Sequence, residues 1–133
     1  MLTKLHLIQN NTARLILRQK KNDHITPALV KLHWLPIPER IEYKILLLVY
    51  KALNNKGPKY LAEMLVKHQP PRALRSANQN LLTELKTRKL YGERAFAFSG
   101  PYLWNGLPPH VRESESVDIF KTKLKTHLFN YAF

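Results

Sequence analysis

Hydrophobic positions are most concentrated between residues 39 and 54. At helical spacing they cover most of the circumference of this segment: Ile41, Ile45, Leu46, Leu47, Leu48, Val49, Ala52, Leu53. A helix that is apolar on most sides is usually buried on most sides. The turn-forming pair Pro36 and Pro38 precedes it, and Pro38 suits a first helical turn. We therefore predict a central helix over residues 39–54, with Leu48 in the middle of the core.

An amphipathic pattern predicts another helix over residues 3–20. Its two faces are an apolar one and a basic one, formed by Leu5, Ile8, Thr12, Leu15 and by Arg14, Arg18, Lys21. The apolar face is expected to pack on the core, which leaves the basic face exposed to solvent.

Shorter helices are predicted in the intervening segments. Thr26 and Pro27 form an N-cap and first-turn pair for a helix that ends before Trp34. Residues 59–66 are predicted to form a short helix, and residues 100–106 a helical turn. Ser116 is expected to cap a final helix with one apolar face, formed by Val117, Phe120, Leu124, Leu128.

The middle of the chain differs in character. Residues 67–80 are polar, contain Pro70-Pro71 and lack periodicity, which predicts an extended loop. Alternating apolar residues over 81–87 and 94–98 favour a β-hairpin, whereas a helix over 93–98 is the alternative. The predicted fold is mainly α (α+β): about five helices and a short β-hairpin. We expect one domain over 1–133, with a helical part (1–66), a loop (67–80), and a hairpin plus C-terminal helix (81–133).

The net charge of the chain says more about its function than the rest of its composition does. The chain carries 22 Lys and Arg against 9 Asp and Glu, a net charge of +13. Such an excess implies an anionic partner, most often nucleic acid and less often an acidic membrane surface. A simply solvated basic surface is the plainer alternative, although +13 exceeds what solubility calls for in a small domain.

Candidate chemistry is sparse. The chain has no cysteine, which excludes disulfides, thiolate metal sites and thiol nucleophiles. Its six histidines show no metal-ligand spacing, its serines lie in no nucleophile motif, and its glycines form no phosphate loop. We therefore expect no enzyme, no cofactor and no metal.

The sequence shows neither a membrane-spanning segment nor a signal peptide. The longest apolar run, residues 45–50, is too short to span a bilayer, and the N-terminus turns polar too early for a signal peptide. We expect a soluble intracellular protein of the nucleus or cytoplasm, with no membrane partner.

Two blocks contain most of the excess positive charge. Residues 1–34 hold six basic side chains and one acidic, and residues 67–94 hold seven and two. Their cations are candidate phosphate contacts: Arg14, Arg18, Lys20, Lys21 in the first block and Arg72, Arg75, Lys86, Arg88, Lys89, Arg94 in the second. Ordinary exposed charge is the alternative interpretation of both blocks.

Aromatic residues raise the possibility of base stacking. Tyr91, beside Lys89 and Arg94, is the stacking candidate. Trp34 and Trp104 lie in apolar, proline-bounded turns, and we favour a core position for both over stacking.

Several ordered motifs together carry a family resemblance. They are QNNTARLIL at 9–17, LHWLPIPERIEYKILLLVYKAL at 32–53, GPKYLAEML at 57–65, RALRS at 72–76, TRKLYGERAF at 87–96, GPYLWNGLPPHVR at 100–112 and SVDIFKTKLKTHLF at 116–129. In this order they resemble the segment downstream of the polymerase core in reverse transcriptases of non-LTR (LINE-type) retrotransposons. The resemblance spans nearly the whole chain.

The resemblance implies an accessory role without catalysis. Polymerase chemistry of that family needs clustered carboxylates that hold metal ions, whereas the only two aspartates of this chain, Asp23 and Asp118, lie far apart in sequence. The resemblance implies an accessory segment that binds RNA or DNA with low specificity. The alternative is a functionless or protein-interaction remnant of a truncated element, whose apolar face once docked on the polymerase part of a related element. An enzyme and a binder of acidic membranes are the remaining alternatives.

Overall fold

The computed structural model of the protein describes residues 2–70, 80–86, 92 and 95–133. Helices make up most of this part of the chain: α1 (Leu2–Ile16), α2 (Ile25–Lys31), α3 (Ile37–Leu53), α4 (Lys59–Glu63), α5 (Phe96–Asn105), α6 (Pro109–Arg112) and α7 (Val117–Ala132). The prediction of a mainly α fold is therefore confirmed.

Two compact units divide the chain. The first unit is Met1–Tyr43 with Lys125–Phe133, and the second unit is Lys44–Leu124. The boundary falls inside α3 and again inside α7. Each unit has buried hydrophobic residues of its own.

The predicted hairpin is not seen in the described residues. The prediction of a second strand over residues 94–98 is wrong, because residues 96–98 form the first turn of α5. Apolar residues at 96 and 98 fit a strand, but Phe98 also stacks on Tyr102, four positions later on the same helix face (6.4 Å between ring centroids). Most of the predicted hairpin turn lies outside the described residues. Residues 80–86 form instead an extended segment with one antiparallel bridge, between Leu82 and Lys67.

In the first unit, α1 packs on α2 through a small core formed by Ala13, Ala28 and Leu29. Trp34 is half-buried against this core, as expected of a core anchor. Gln9 is also buried, and its side-chain amide donates a 2.7 Å hydrogen bond to the carbonyl of Leu35. Small side chains allow the two helices to approach closely, and the hydrogen bond satisfies the amide nitrogen of Gln9, whereas its buried Oε1 has no described partner.

This packing overturns the predicted orientation of α1. The apolar face chosen from periodicity is exposed, with 42% of Leu5, 62% of Ile8 and 79% of Leu15 accessible to solvent. Gln9 and Ala13 occupy the buried face instead. Periodicity identified an apolar face correctly but could not show whether another element covers it.

The second unit is built around three aromatic rings. Tyr50 of α3 stacks on Phe120 of α7 at 4.2 Å, and Trp104 of α5 lies 6.0 Å from Phe120. Gly100 brings the α5 backbone against α3, since an added Cβ would lie 3.1 Å from a methyl carbon of Val49. The core positions predicted for Trp104 and Phe120 are confirmed.

Leu48 does not lie at the centre of this core, contrary to the prediction. It is 42% exposed, whereas its neighbours Leu46, Val49 and Tyr50 are buried. A helix that is apolar nearly all round gives no sequence signal for the side that stays open. The apolar face of α7 was predicted correctly, since Phe120, Leu124 and Leu128 are all buried.

Three helix ends are closed by residues other than glycine in the left-handed conformation: Arg18 and His33 (both φ 52°) and Asn55 (φ 55°). After α1, the amide of Gln19 donates to the carbonyl of Arg14 at 2.9 Å, and the amide of Arg18 donates to the carbonyl of Leu15. This is a Schellman motif, which satisfies carbonyl groups that the helix leaves unpaired. It ends α1 at Ile16, four residues before the predicted end.

Candidate nucleic-acid interface

The early end of α1 changes the geometry of the first basic block. Arg18 and Lys21 lie beyond the helix, so the predicted regular basic face does not continue past Ile16. Arg18, Lys20 and Lys21 instead lie on the connection between α1 and α2, and all three are exposed. We call these three residues the basic turn.

Hydrogen bonds hold this connection in place. The carboxylate of Asp23 accepts a 2.8 Å hydrogen bond from the amide of Lys20, and the amide of Asp23 donates to the carbonyl of Lys20. Asp23 is the one acidic residue among positions 1–34, and its carboxylate is engaged with the backbone. Asp23 offsets one of the three positive charges of the basic turn, and the connection stays net positive.

Arg14 differs from the basic turn, although the sequence placed it in the same block. Its guanidinium is half-buried and donates a 3.1 Å hydrogen bond to the carbonyl of Asp23. It thereby ties α1 to the connection that follows. This contact uses part of the hydrogen-bonding capacity that a phosphate would need.

The second basic block is described only in part. Lys86 is exposed at the end of the extended segment 80–86. The other candidate contacts of this block lie outside the described residues: Arg72, Arg75, Arg88, Lys89, Tyr91, Arg94. Their assignment as phosphate or base contacts stays a prediction.

Ion pairing neutralises little of the positive charge where side chains are described. Among residues 2–70, 80–86, 92 and 95–133, the salt bridge present joins Lys121 and Asp118 (3.1 Å), both on α7. Lys123 is also engaged, because its ammonium group donates a 2.9 Å hydrogen bond to the carbonyl of His110. The lysines of α7 are therefore partly occupied, unlike those of the basic turn.

One arginine was missed by sequence reasoning. Arg112, the last residue of α6, is only 6% exposed and lines a cavity in the second unit. The sequence signal was weak, since Arg112 follows the apolar Val111 in a block with little net charge. Burial of an arginine depends on tertiary packing, which a single sequence does not reveal.

The described residues form neither a metal site nor a membrane-spanning helix. No three histidine, aspartate or glutamate side chains in this part of the chain converge on a possible metal position. None of its helices has both the length and the hydrophobicity needed to cross a membrane.

Comparison with protein-family models, with curated proteins and with solved structures gives no match for this chain.

Proposed function

We propose that this protein is a non-catalytic nucleic-acid-binding segment, derived from the C-terminal part of a non-LTR retrotransposon reverse transcriptase. It binds RNA or DNA with low sequence specificity through phosphate contacts. The observation that supports the proposal is the basic turn: Arg18, Lys20 and Lys21 are exposed within one short connection, and none forms an ion pair with a described carboxylate.

Phosphate contacts explain why such a cluster binds nucleic acid. Each cation that neutralises a phosphate releases condensed counterions, and this release favours binding without regard to base sequence. The hydrogen-bonded turn reduces the backbone freedom that binding would otherwise have to restrict. The contact between Arg14 and the carbonyl of Asp23 positions the turn against α1.

The test compares two triple variants that remove the same total charge. One changes the basic turn (Arg18→Gln, Lys20→Gln, Lys21→Gln), and the matched control changes α7 (Lys121→Gln, Lys123→Gln, Lys125→Gln). Affinity for single- and double-stranded oligonucleotides is measured by fluorescence anisotropy across a salt series. Each phosphate contact removed lowers the magnitude of the log–log salt slope by roughly one.

We expect the basic-turn variant to lose affinity for all base sequences and to show the flatter salt dependence. The control should lose less, because Lys121 and Lys123 are engaged within the protein. Equal losses would show that only total charge matters. Absence of binding at moderate salt would contradict the proposal, and equally tight binding to anionic lipid vesicles would favour an acidic membrane surface.

Lack of catalysis is part of the same proposal. The two aspartates are each engaged locally, Asp23 with the amide of Lys20 and Asp118 with Lys121. Primer extension with magnesium or manganese should therefore give background only. Extension that persists through purification and disappears in Asp23→Asn or Asp118→Asn would refute this part.

The exposed apolar face of α1 favours a second candidate function, docking on a protein partner such as the polymerase part of a related element. Leu5, Ile8 and Leu15 are exposed along this face, and a contiguous exposed apolar surface often marks an interaction site. The test is a pull-down with that polymerase part. Ile8→Ser with Leu15→Ser should abolish capture without lowering stability, and unchanged capture would exclude this face.

A further inference from the structure

The second unit contains a cavity of about 290 Å³ beside a buried guanidinium. Arg112 lines it, together with Lys67, Glu113, Asn54, Tyr50 and Trp104. All of these residues belong to the second unit, and none of them belongs to the basic turn.

Arg112 reaches this position because a short helix packs against the core. Pro108 precedes α6 in an extended conformation, and Val111, next to Arg112, is completely buried. Arg112 is the last residue of this helix and is buried beside Val111. The side chain of Arg112 is left 6% exposed.

The hydrogen bonds of Arg112 are incomplete. One terminal nitrogen, Nη1, donates a long 3.3 Å hydrogen bond to the carbonyl of Asn105, while the buried Nε has no partner. Arg112 forms no ion pair with any described carboxylate. A buried cation that forms no ion pair is unfavourable, and an anion in the cavity would relieve part of that cost.

Electrostatics agree with this geometry. Burial lowers the pKa of the Arg112 guanidinium, and the nearby Glu113 carboxylate opposes the shift only in part. The guanidinium nevertheless remains protonated, as arginine does throughout the physiological range. It is therefore an incompletely solvated cation.

Arg112 and Lys67 are the cationic donors of the lining, and Glu113 is its carboxylate, so the lining keeps a net positive charge. The phenol of Tyr50 donates to the carbonyl of Ser114, and the indole of Trp104 donates to the carbonyl of Asn80. Two of the wall groups are thus already satisfied and form a rigid aromatic side. Lys67 is exposed, and it adds a second positive charge to the cavity.

We propose that this cavity binds a phosphate monoester, with Arg112 and Lys67 as its two cationic contacts. A carboxylate offers one negative charge and two oxygens, whereas a phosphate monoester carries nearly two charges and three strong acceptor oxygens. Arg112 and Lys67 come from separate parts of the chain and can contact different oxygens of one phosphate, and the lining stays net positive despite Glu113. The group has two possible sources, a free nucleotide or the 5′-terminal phosphate of a nucleic-acid strand. The site does not depend on binding through the basic turn.

The experiment is isothermal titration of the full chain with inorganic phosphate, AMP, acetate, and one short oligonucleotide with and without a 5′-phosphate. The variants are Arg112→Gln and Lys67→Gln, and the control is Lys125→Gln, an exposed cation that does not line the cavity. If Arg112→Gln does not fold, Lys67→Gln still tests the proposal, because Lys67 is exposed and its substitution should leave the fold intact.

AMP should bind saturably, and acetate should bind more weakly than phosphate. Loss of a charged hydrogen-bonding partner should weaken AMP binding at least about tenfold in Arg112→Gln and several-fold in Lys67→Gln. Lys125→Gln should bind as the native chain does, and so should the basic-turn triple variant. That last result separates this site from the proposed nucleic-acid surface.

The oligonucleotide arms identify the source of the phosphate. Binding that requires the 5′-phosphate, with AMP bound much more weakly than the strand, assigns a strand end. Tight binding of AMP and equal binding of both oligonucleotides assign a free nucleotide. The proposal is overturned if neither phosphate nor AMP binds at millimolar concentration, or if AMP binding is unchanged in Lys67→Gln and in a folded Arg112→Gln.

Discussion

The phenol of Tyr50 donates a 2.7 Å hydrogen bond to the backbone carbonyl of Ser114, 64 positions away in the sequence. Both residues are buried, and the same Tyr50 ring stacks on Phe120. One side chain therefore fixes the connection between α6 and α7 onto α3 and also completes the aromatic core of the second unit.

Removal of this hydroxyl should be measurable. Tyr50→Phe keeps the stacked ring but leaves the buried carbonyl of Ser114 without its donor, which should cost about 1–2 kcal/mol in free energy of unfolding. Urea denaturation measures the change. Tyr60→Phe, on the exposed side chain of α4, is the control and should be neutral. Equal stability of Tyr50→Phe and the native chain would mean that water replaces the hydroxyl.

A matched pair of leucines on α3 tests the placement of the core. Leu46 is buried, so Leu46→Ala should cost about 2–5 kcal/mol. Leu48 is partly exposed, so Leu48→Ala should cost less than about 1 kcal/mol. Denaturant midpoints compare the two variants directly. A larger loss in Leu48→Ala than in Leu46→Ala would restore the interpretation drawn from sequence.

The left-handed conformation of Arg18 predicts a stabilising substitution. Arg18→Gly relieves an unfavourable backbone conformation and should raise stability by about 0.5–1 kcal/mol. Arg18→Ala loses the same charge but keeps the strain, so it should give no gain. Thermal unfolding compares the two, and both should weaken nucleic-acid binding equally. A gain in both variants would point to charge repulsion rather than backbone strain.

Glu42 predicts a pH dependence. Burial, and then the neighbouring Glu39 carboxylate, raise the pKa of Glu42 in the folded protein. The folded state therefore favours the protonated form, and this contribution to stability is lost as pH rises through the raised pKa. Glu42→Gln should be more stable than the native chain at pH 7, and the difference should vanish below about pH 4.

Urea midpoints measured from pH 3 to pH 8 test this prediction. Glu63→Gln is the control, because Glu63 is exposed on α4. At neutral pH the urea midpoint of Glu63→Gln should differ less from that of the native chain than the midpoint of Glu42→Gln does. A Glu42→Gln variant that is less stable than the native chain at pH 7 would contradict the assignment.

Periodicity predicted the helices better than it predicted their buried sides. On α7 the apolar positions chosen from periodicity, Phe120, Leu124 and Leu128, are buried, although the apolar Ile119 on the same helix is exposed. In α1 the buried face carries Gln9, which is polar, and Ala13, which is small, so a pattern of large apolar residues does not identify it. Gln9 is tolerated there because the carbonyl of Leu35 accepts its hydrogen bond, a contact 26 positions away in the sequence.

The candidate site shows the same limit. Sequence reasoning grouped Arg14, Arg18 and Lys21 on one helix face because no glycine marked the end of α1. The structure ends the helix with Arg18 itself in the glycine-like conformation. Arg112 was overlooked for a related reason, since a single arginine in a nearly neutral segment has no pattern that predicts burial.

The backbone of the extended segment 80–86 forms hydrogen bonds with two other parts of the second unit. The side chain of Asn105 accepts from the amide of Leu82 and donates to its carbonyl, while Thr83 donates to the carbonyl of Val66. The chain between Lys67 and Leu82 thus begins and ends at fixed points. Leu82 thereby joins α5, through Asn105, to the residues that follow α4, through Lys67, although it belongs to no helix itself.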